Sequence, residues 1–348
     1  MGTHTRPLAL LVFASLFAVT RSLAAAPVLL VLNKGNLTLV TVDVATLEVT
    51  GRYPSGPAPH EVAASADGKL AYISNYRLGQ ELTDHIATGA PDTISVVDLV
   101  AKKALPPIEL GPLRRPHGLA VAGGKLYFTA EGSKVVARYD PASRTVDWIM
   151  GTGQNRTHMI MVSDDLERLI TTNVASGSVS FIEHKPVAPV GRGAPATDWF
   201  VTTLPAGKGS EGYDLSPDGK ELWVANAQAQ SISIIDAVGE RLLETVHVPF
   251  ASANRIKFTP DGTHVLISDL RAPKIFVLDA KTRKEIKRID VGGNWGAGML
   301  MDPDGSRAFV SIGDRNAVAV IDLQTLTVAT WIETGPSPDG LAWAVQNP

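Results

Sequence analysis

One hairpin pattern recurs six times along this sequence of 348 residues. In its first copy, PHEVAASADGKLAYISN, two short apolar runs flank an Ala-Asp-Gly turn, and the copies begin at Pro59, Pro116, Thr157, Ser210, Ala253 and Gly296. A β-rich run that closes in an acid follows each copy, at Asp98, Asp140, Glu183, Asp236, Asp279 and Asp322, with spacings of 42, 43, 53, 43 and 43 residues. A fixed period of this length is typical of a repeat architecture.

The two ends of the chain supply the parts of a seventh unit. The acid run ending at Asp43 and the run Leu29–Asn33 lack a first strand, whereas PDGLAWA (Pro338–Ala344) is a first strand with nothing after it. Each unit then contains four short strands, which no single sheet could bury alone. We predict an all-β protein: a seven-bladed β-propeller of one domain over residues 27–348, closed by pairing of the N- and C-terminal strands.

Residues 1–24 have the pattern of an export signal. Arg6 precedes the apolar stretch Leu8–Val19, and Ser22–Ala24 gives a small-residue cleavage site. We expect a periplasmic or secreted protein without membrane insertion after signal cleavage, because no other segment is apolar over about 18 residues. The chain after residue 24 carries 30 basic and 35 acidic residues, so it has no general attraction for nucleic acid.

The repeats resemble a known family. AYISN, LITTN, LWVAN, VLISD and LLVLN, beside the turns SADG, SPDG and TPDG, are similar to the YVTN-repeat β-propellers over essentially the whole chain after the signal. Propellers of this kind include secreted binding proteins, lactonase-like hydrolases and propellers like the β-chain of quinoprotein amine dehydrogenase, so the resemblance implies a fold and leaves the function open. The tryptophan-docking repeat of quinoprotein alcohol dehydrogenases is missing, which argues against a PQQ cofactor on the same grounds.

The second residue of each repeat defines the mouth column, which lies where the chain enters each blade. Its members are His60, His117, His158, Glu211, Asn254, Ala297 and Asp339. Propeller symmetry brings these positions together, and imidazoles with one carboxylate suit a divalent transition metal, with Zn, Cu, Fe, Mn and Ni all open. We predict His60, His117, His158 and Glu211 as metal ligands, against the alternative that a duplicated histidine merely caps a strand. The chain has no cysteine, which excludes a covalently attached c-type haem.

Further candidates surround this column. Glu211 or Glu131 is predicted to accept a proton from a metal-activated water, and Arg255, Arg77 and Asp339 to bind the substrate. The alternative for Arg255 is an ion pair with a surface acid. The second-strand ends form the set Asn33, Asn75, Glu131, Asn173, Asn226 and Asp269, whose amides are expected to bond turn backbone, with Glu131 as the exception.

Two insertions interrupt the repeat. The first, Tyr76–Thr93, joins the second and third strands of its blade, and we predict a lid over the mouth that carries Arg77, Asp84 and His85. The second, His184–Trp199, follows a third strand and is expected on the opposite face as a surface excursion.

These features leave two classes of function open. One is a metal-assisted hydrolase or lyase acting on a small polar substrate at the channel mouth. The other is a non-catalytic propeller that binds a small ligand or an exported partner protein.

Overall fold

A computed structural model describes Gly2 and residues 27–90, 92–187 and 196–345. Within these residues, 28 strands form seven four-stranded antiparallel sheets, which confirms the predicted seven-bladed propeller. The predicted export signal falls outside the described residues apart from Gly2. None of the helices in the described part of the chain combines the length and the apolar character needed to cross a membrane.

Each blade starts with its innermost strand and runs outward from the channel. Blade 1 comprises β28 (Pro338–Ala344), β1 (Val28–Asn33), β2 (Thr38–Asp43) and β3 (Val49–Pro54). Blade 2 comprises β4 (Pro59–Ala64), β5 (Leu70–Asn75), β6 (Thr93–Asp98) and β7 (Lys103–Glu109), and blade 3 comprises β8 (Pro116–Ala122), β9 (Lys125–Ala130), β10 (Val135–Asp140) and β11 (Thr145–Gly151). Blade 4 comprises β12 (Thr157–Val162), β13 (Arg168–Asn173), β14 (Ser178–Val187) and β15 (Ala196–Pro205).

The last three blades continue the same order. Blade 5 comprises β16 (Ser210–Leu215), β17 (Glu221–Asn226), β18 (Ser231–Asp236) and β19 (Arg241–His247). Blade 6 comprises β20 (Ala253–Phe258), β21 (His264–Asp269), β22 (Lys274–Asp279) and β23 (Glu285–Asp290), and blade 7 comprises β24 (Gly296–Met301), β25 (Arg307–Ile312), β26 (Ala317–Asp322) and β27 (Thr327–Glu333). A helix, α1 (Gly79–Thr88), and a 3-10 turn (Gly313–Arg315) complete the described elements.

The ring closes through blade 1, where the last strand pairs with the first. Leu29 of β1 lies opposite Trp343 of β28, and Val31 lies opposite Leu341. Strands from both termini therefore complete one sheet, as the sequence predicted.

The core lies between neighbouring blades. The second and third strands are apolar on both faces because each face packs against another sheet; Trp223, Phe250, Phe258 and Phe276, for example, belong to one cluster between blades 5 and 6. The outermost strands lie at the rim and show exposed positions in alternation, as in β11. Apolar burial between blades thus holds the ring together.

A β-bulge near the start of every innermost strand positions the mouth column. In blade 2, Pro59 pairs with Asn75, and the next pair joins Val62 to Ile73, so three steps on one strand oppose two on the other. The other six blades carry the same shift. A bulge re-aims side chains, and here the mouth column and the position after it lie inside the bulge.

The second insertion is more ordered than a surface excursion. In blade 4 the strands β14 and β15 each have 10 residues, and their pairing runs through His184 opposite Trp199 to Val187 opposite Ala196. The two flanks of the insertion, residues 184–187 and 196–199, therefore extend the outer hairpin of blade 4 at the far end of the propeller. Residues 188–195 lie outside the described residues.

Candidate functional site

Three histidines of the mouth column lie side by side at the channel mouth. The ring centroids of His60 and His117 are 4.6 Å apart, and those of His117 and His158 are 3.7 Å apart in a stacked arrangement. Blades 2, 3 and 4 each contribute one of them at the bulge of the innermost strand. Together with Glu211 of blade 5, they form the predicted cluster of three histidines and a glutamate.

His158 lies between two carboxylates. Its Nδ1 is 2.5 Å from Glu131 Oε1, and its Nε2 is 2.6 Å from Glu211 Oε1. Burial lowers the pKa of His158, but Glu211 and Glu131 outweigh it and raise this pKa to about 9. Burial likewise raises the pKa of Glu211, but His158 brings it down to about 2. The three groups therefore form an imidazolium held between two carboxylates.

Tyr76 and Arg115 hold the second oxygen of Glu131. The hydroxyl of Tyr76 donates to Glu131 Oε2 at 2.5 Å and accepts a hydrogen bond from Arg115 Nη2. The guanidinium carbon of Arg115 lies 4.7 Å from the centre of the Tyr76 ring. Burial raises the pKa of Glu131, but the hydrogen bonds from His158 and Tyr76 keep it below its ordinary value. Both oxygens of this buried carboxylate are thus fixed.

His60 and His117 are in a different state. Burial lowers the pKa of His60 to about 3 and that of His117 well below its ordinary value, so both rings are neutral. His60 Nδ1 lies 3.2 Å from Asp339 Oδ2, and Lys34 Nζ lies 2.5 Å from the same oxygen. Among the described residues, neither ring nitrogen of His117 has a hydrogen-bond partner. One cluster of imidazoles therefore contains a cation and two neutral rings.

Two groups of possible metal ligands share His117. His60, Glu61 and His117 form one, and His117, Glu131 and His158 form the other; within each group the ligand atoms lie within 4.8 Å of one another. The carboxylates within ligand reach are therefore Glu61 and Glu131, while the predicted ligand Glu211 bonds His158.

Below the histidines, an ion pair crosses the channel. Arg255 Nη2 of blade 6 donates to Glu61 Oε1 of blade 2, and both side chains are buried. The sequence predicts that Arg255 binds substrate or, alternatively, pairs with a surface acid. In the structure it pairs with Glu61, which is a buried acid. Four of the other five blades carry glycine at this position, and blade 4 carries Met159. A Cβ on Gly212 would lie 2.2 Å from Asn254 O, and one on Gly298 would lie 2.1 Å from Asp339 O. Large and small residues therefore share the narrow channel.

The first insertion forms α1, which is anchored to the start of blade 3. Asp92 Oδ1 lies 3.4 Å from Arg77 Nη1 and 3.0 Å from His85 Nε2, while Asp92 Oδ2 accepts the backbone N–H of Arg115 at 3.0 Å. Arg77 is thus engaged with Asp92 and lies apart from the histidine stack. From this insertion it is Tyr76, and not Arg77, that reaches the cluster.

The second-strand ends are structural, and Glu131 does not belong among them. The Asn75 amide donates to the hydroxyls of Thr93 and Ser95 on the third strand of its blade, and Asn33, Asn173 and Asn226 make similar bonds. In blade 3 the equivalent residue is Ala130, which pairs with Pro116 as Asn75 pairs with Pro59. The first hairpin of this blade turns tightly at Gly123-Gly124 and is shorter than that of blade 2. Comparison of the repeats by sequence therefore assigned Glu131 to the second-strand end, whereas it is the residue after that end.

Two sets of residues at the mouth were not predicted from the sequence: those that precede the innermost strands and those that follow the second-strand ends. The residue before each innermost strand has a positive φ in six blades, including Arg115 (57°), Arg156 (55°) and Trp295 (61°). Large side chains in this conformation are strained, which is typical of functional sites. A signal was present, because Arg115 and Arg156 each stand two residues before a predicted histidine. Lys34 and Tyr76 occupy the position structurally equivalent to that of Glu131, one residue beyond the second-strand end.

At the opposite face, His184 Nδ1 lies 2.7 Å from Glu167 Oε2, and its ring stacks on Trp199 at 4.9 Å. This pair is remote from the mouth and belongs to the elongated hairpin of blade 4.

Comparison with known proteins supports the fold alone. No protein-family model matches the chain, and no curated protein matches its sequence. A protein of unknown function from Desulfotomaculum acetoxidans has a similar structure, with a TM-score of 0.71 and 13% identity over 92% of this chain and 99% of the other. A periplasmic gluconolactonase from Pseudomonas aeruginosa gives a TM-score of 0.69 and 15% identity over the same shares. Hydrazine synthase from Kuenenia stuttgartiensis gives a TM-score of 0.63 and 18% identity over 82% of this chain and 89% of the other. At these identities, the shared property is the propeller architecture.

Proposed function

We propose that this chain is an exported, metal-assisted hydrolase that acts on a small polar substrate at the channel mouth. The main support for this function is the unpaired state of the His117 ring. The side chain is fully buried, and both of its ring nitrogens lack a partner among the described residues. Leaving a polar group unpaired in this way costs about 1–3 kcal/mol, so the site is built for something that binds there.

The surrounding groups suit a transition-metal ion. His60 and His117 offer nitrogen ligands, and Glu61 offers an oxygen, which together make the three-ligand set of a catalytic site with an open position. When bound, a metal of this kind supplies a water molecule that is acidic enough to attack near neutral pH. Asp339 lies against His60 and orients that ring, as outer carboxylates commonly do for ligating histidines.

The neighbouring groups are arranged to handle a proton. His158 Nε2 faces Glu211, which lines a cavity open to the mouth, while His158 Nδ1 is held by the deeply buried Glu131. Glu131 therefore orients the ring, with Tyr76 and Arg115 fixing Glu131 in turn. In the proposed reaction, His158 and Glu211 pass a proton between the attacking water and the leaving group.

A non-catalytic binding propeller remains the second candidate because of one observation. Glu131, His158, Glu211 and Tyr76 bond one another without a metal ion, and Arg115 donates to the Tyr76 hydroxyl. A site of this kind would bind a polar ligand without turning it over.

Metal binding separates the two candidates. Metal-free protein is titrated calorimetrically with Zn²⁺, Mn²⁺ and Ni²⁺, together with His117→Ala and, as a matched control, His184→Ala at the far end. We expect one ion to bind the wild type and the control equally, and His117→Ala to bind it more than about 100-fold more weakly, beyond the loss typical of an outer partner. Equal affinity of both variants, or no binding to the wild type, would contradict the hydrolase and favour the binding propeller.

A further inference from the structure

Two arginines occupy equivalent positions at the mouth but have different surroundings. Arg115 and Arg156 each precede an innermost strand, and both have left-handed backbone. Arg115 donates to the Tyr76 hydroxyl and lies 3.4 Å from Glu131 Oε2. Arg156 approaches Glu131 Oε2 only to 3.7 Å through Nε, and within the described residues this buried Nε has no hydrogen-bond partner. Arg156 therefore combines a left-handed backbone with a longer contact to Glu131 than that of Arg115, and the Nε of Arg115 is likewise unpaired among the described residues.

Arg156 lines a cavity of about 470 Å³ over blades 5 and 6. The same cavity is lined by Arg271, an exposed side chain for which the described residues provide no acidic partner. Glu211 is the one acid among the residues that line the cavity, and it is held by His158 at 2.6 Å. Two guanidinium groups thus face a single open space.

Two further acids near the cavity are also engaged. Glu131, 3.7 Å from Arg156 Nε, is held by His158 and Tyr76. Asp269 is fully buried and accepts backbone N–H groups from Ala251 at 2.7 Å, Ser252 at 2.9 Å and Arg271 at 2.8 Å. Its carboxylate is directed into the loop backbone, so it does not pair with the guanidinium of Arg271. The cavity is consequently a place of net positive charge beside the proposed proton-transfer pair.

We propose that Arg156 and Arg271 bind an oxyanion group of the substrate, a carboxylate or a phosphate, in this cavity. Guanidinium groups bind both anions through paired hydrogen bonds. An anion held there directs the rest of the molecule toward Glu211 and His158, so the substrate class is a small acid or phosphate ester. The placement relative to a reaction rests on the proposed function, whereas anion binding itself requires no metal. Arg156 and Arg271 thereby take the role that the sequence predicted for Arg255.

The test measures anion binding by metal-free protein. Inorganic phosphate and acetate are titrated into the full chain, and binding is followed by calorimetry and by the NMR signals of the arginine Nε–H groups. We expect Arg156→Gln and Arg271→Gln each to weaken binding of the preferred anion by about tenfold or more, as expected for the loss of a charged pair of hydrogen bonds. The tighter of the two probes identifies the group.

Arg144→Gln is the matched control, because Arg144 also has a left-handed backbone (φ 59°) but lies in a far-end turn. It should leave anion binding unchanged. Arg156→Lys, which keeps the charge without the paired donors, should fall between the wild type and Arg156→Gln. Equal binding of the anion by all variants, or no binding of either anion by the wild type, would overturn the proposal. His117→Ala should retain anion binding even if it loses metal, so the anion site and the hydrolase can fail separately.

Discussion

The two ends of the propeller are made from the same seven repeats, but the first-hairpin turns at the far end repeat their chemistry more closely than the mouth column does. There, an aspartate in the first hairpin turn accepts a hydroxyl from the Ser or Thr two residues before it and a backbone N–H from two residues after it, as at Asp67, Asp165, Asp218 and Asp261. At the mouth, the equivalent positions hold His, Glu, Asn, Ala and Asp, each with different partners. In these four blades turn formation imposes the same demand on the sequence, whereas the residues of the mouth column differ from blade to blade.

Burial differs in the same way. The far-end turns are exposed, so their hydrogen bonds lower aspartate pKa values in a uniform direction. The mouth groups are buried, and within one cluster of histidines the pKa of His60 is about 3 and that of His158 is about 9. Low solvent access makes each mouth group depend on its particular neighbour, so single substitutions there should cost more than at the far end.

The largest effect is expected from the ion pair across the channel. Arg255→Met leaves Glu61 buried without its partner and should lower the free energy of unfolding by about 3–5 kcal/mol, measured by urea denaturation. The double variant Glu61→Gln/Arg255→Met removes both charges and should be more stable than Arg255→Met alone. If the free energy of unfolding of Arg255→Met lies within about 0.5 kcal/mol of the wild-type value, the claim that channel residues depend on particular partners is wrong.

An intermediate effect is expected from the channel glycines. Gly212→Ala brings a Cβ to 2.2 Å from a backbone oxygen of blade 6, and should destabilise the protein by about 1–3 kcal/mol or more because the strands must move apart. Gly151→Ala is the matched control at the rim, where a Cβ meets no atom within 4 Å. It should leave the midpoint of chemical denaturation unchanged or slightly higher. Similar losses in both variants would show that backbone freedom, and not crowding at the channel, decides the result.

The smallest effect is expected at a far-end turn. The Ser216 hydroxyl, followed by Lys220, lowers the pKa of Asp218 from 3.8 to about 2. A folded-state pKa below the unfolded one stabilises the protein above pH 3.8, and this contribution disappears as the pH falls toward 2. Asp218→Ala should therefore lower Tm slightly at pH 7 and match the wild type near pH 2. Asp164→Ala, at an exposed position beside the equivalent turn aspartate of blade 4, should leave Tm unchanged at pH 7. If Asp218→Ala lowered Tm as much as Arg255→Met does, the predicted difference in sensitivity between the far end and the mouth would be wrong.

The repeat period predicted some residues of the candidate site and failed to predict others. The repeat period identified His60, His117, His158 and Glu211 as neighbours, because equivalent positions of successive blades must meet around the channel. It misplaced Glu131 by one position, since the shorter hairpin of blade 3 becomes evident only from the strand pairing. It could not foresee that Arg255 meets Glu61 across the channel.

The sequence by itself determined the number of blades, the closure of the ring by both termini and the end of the channel at which the histidines lie. These follow from periodicity, since each unit buries its apolar faces only against its neighbours. The tertiary structure alone decided which side chains pair: His158 with two glutamates, Tyr76 with Glu131, and Asp339 with Lys34. The first two pairings join residues from different blades or from an insertion, and the third joins the N- and C-terminal parts of blade 1. Their distances depend on bulge geometry and channel width, which no repeat pattern encodes.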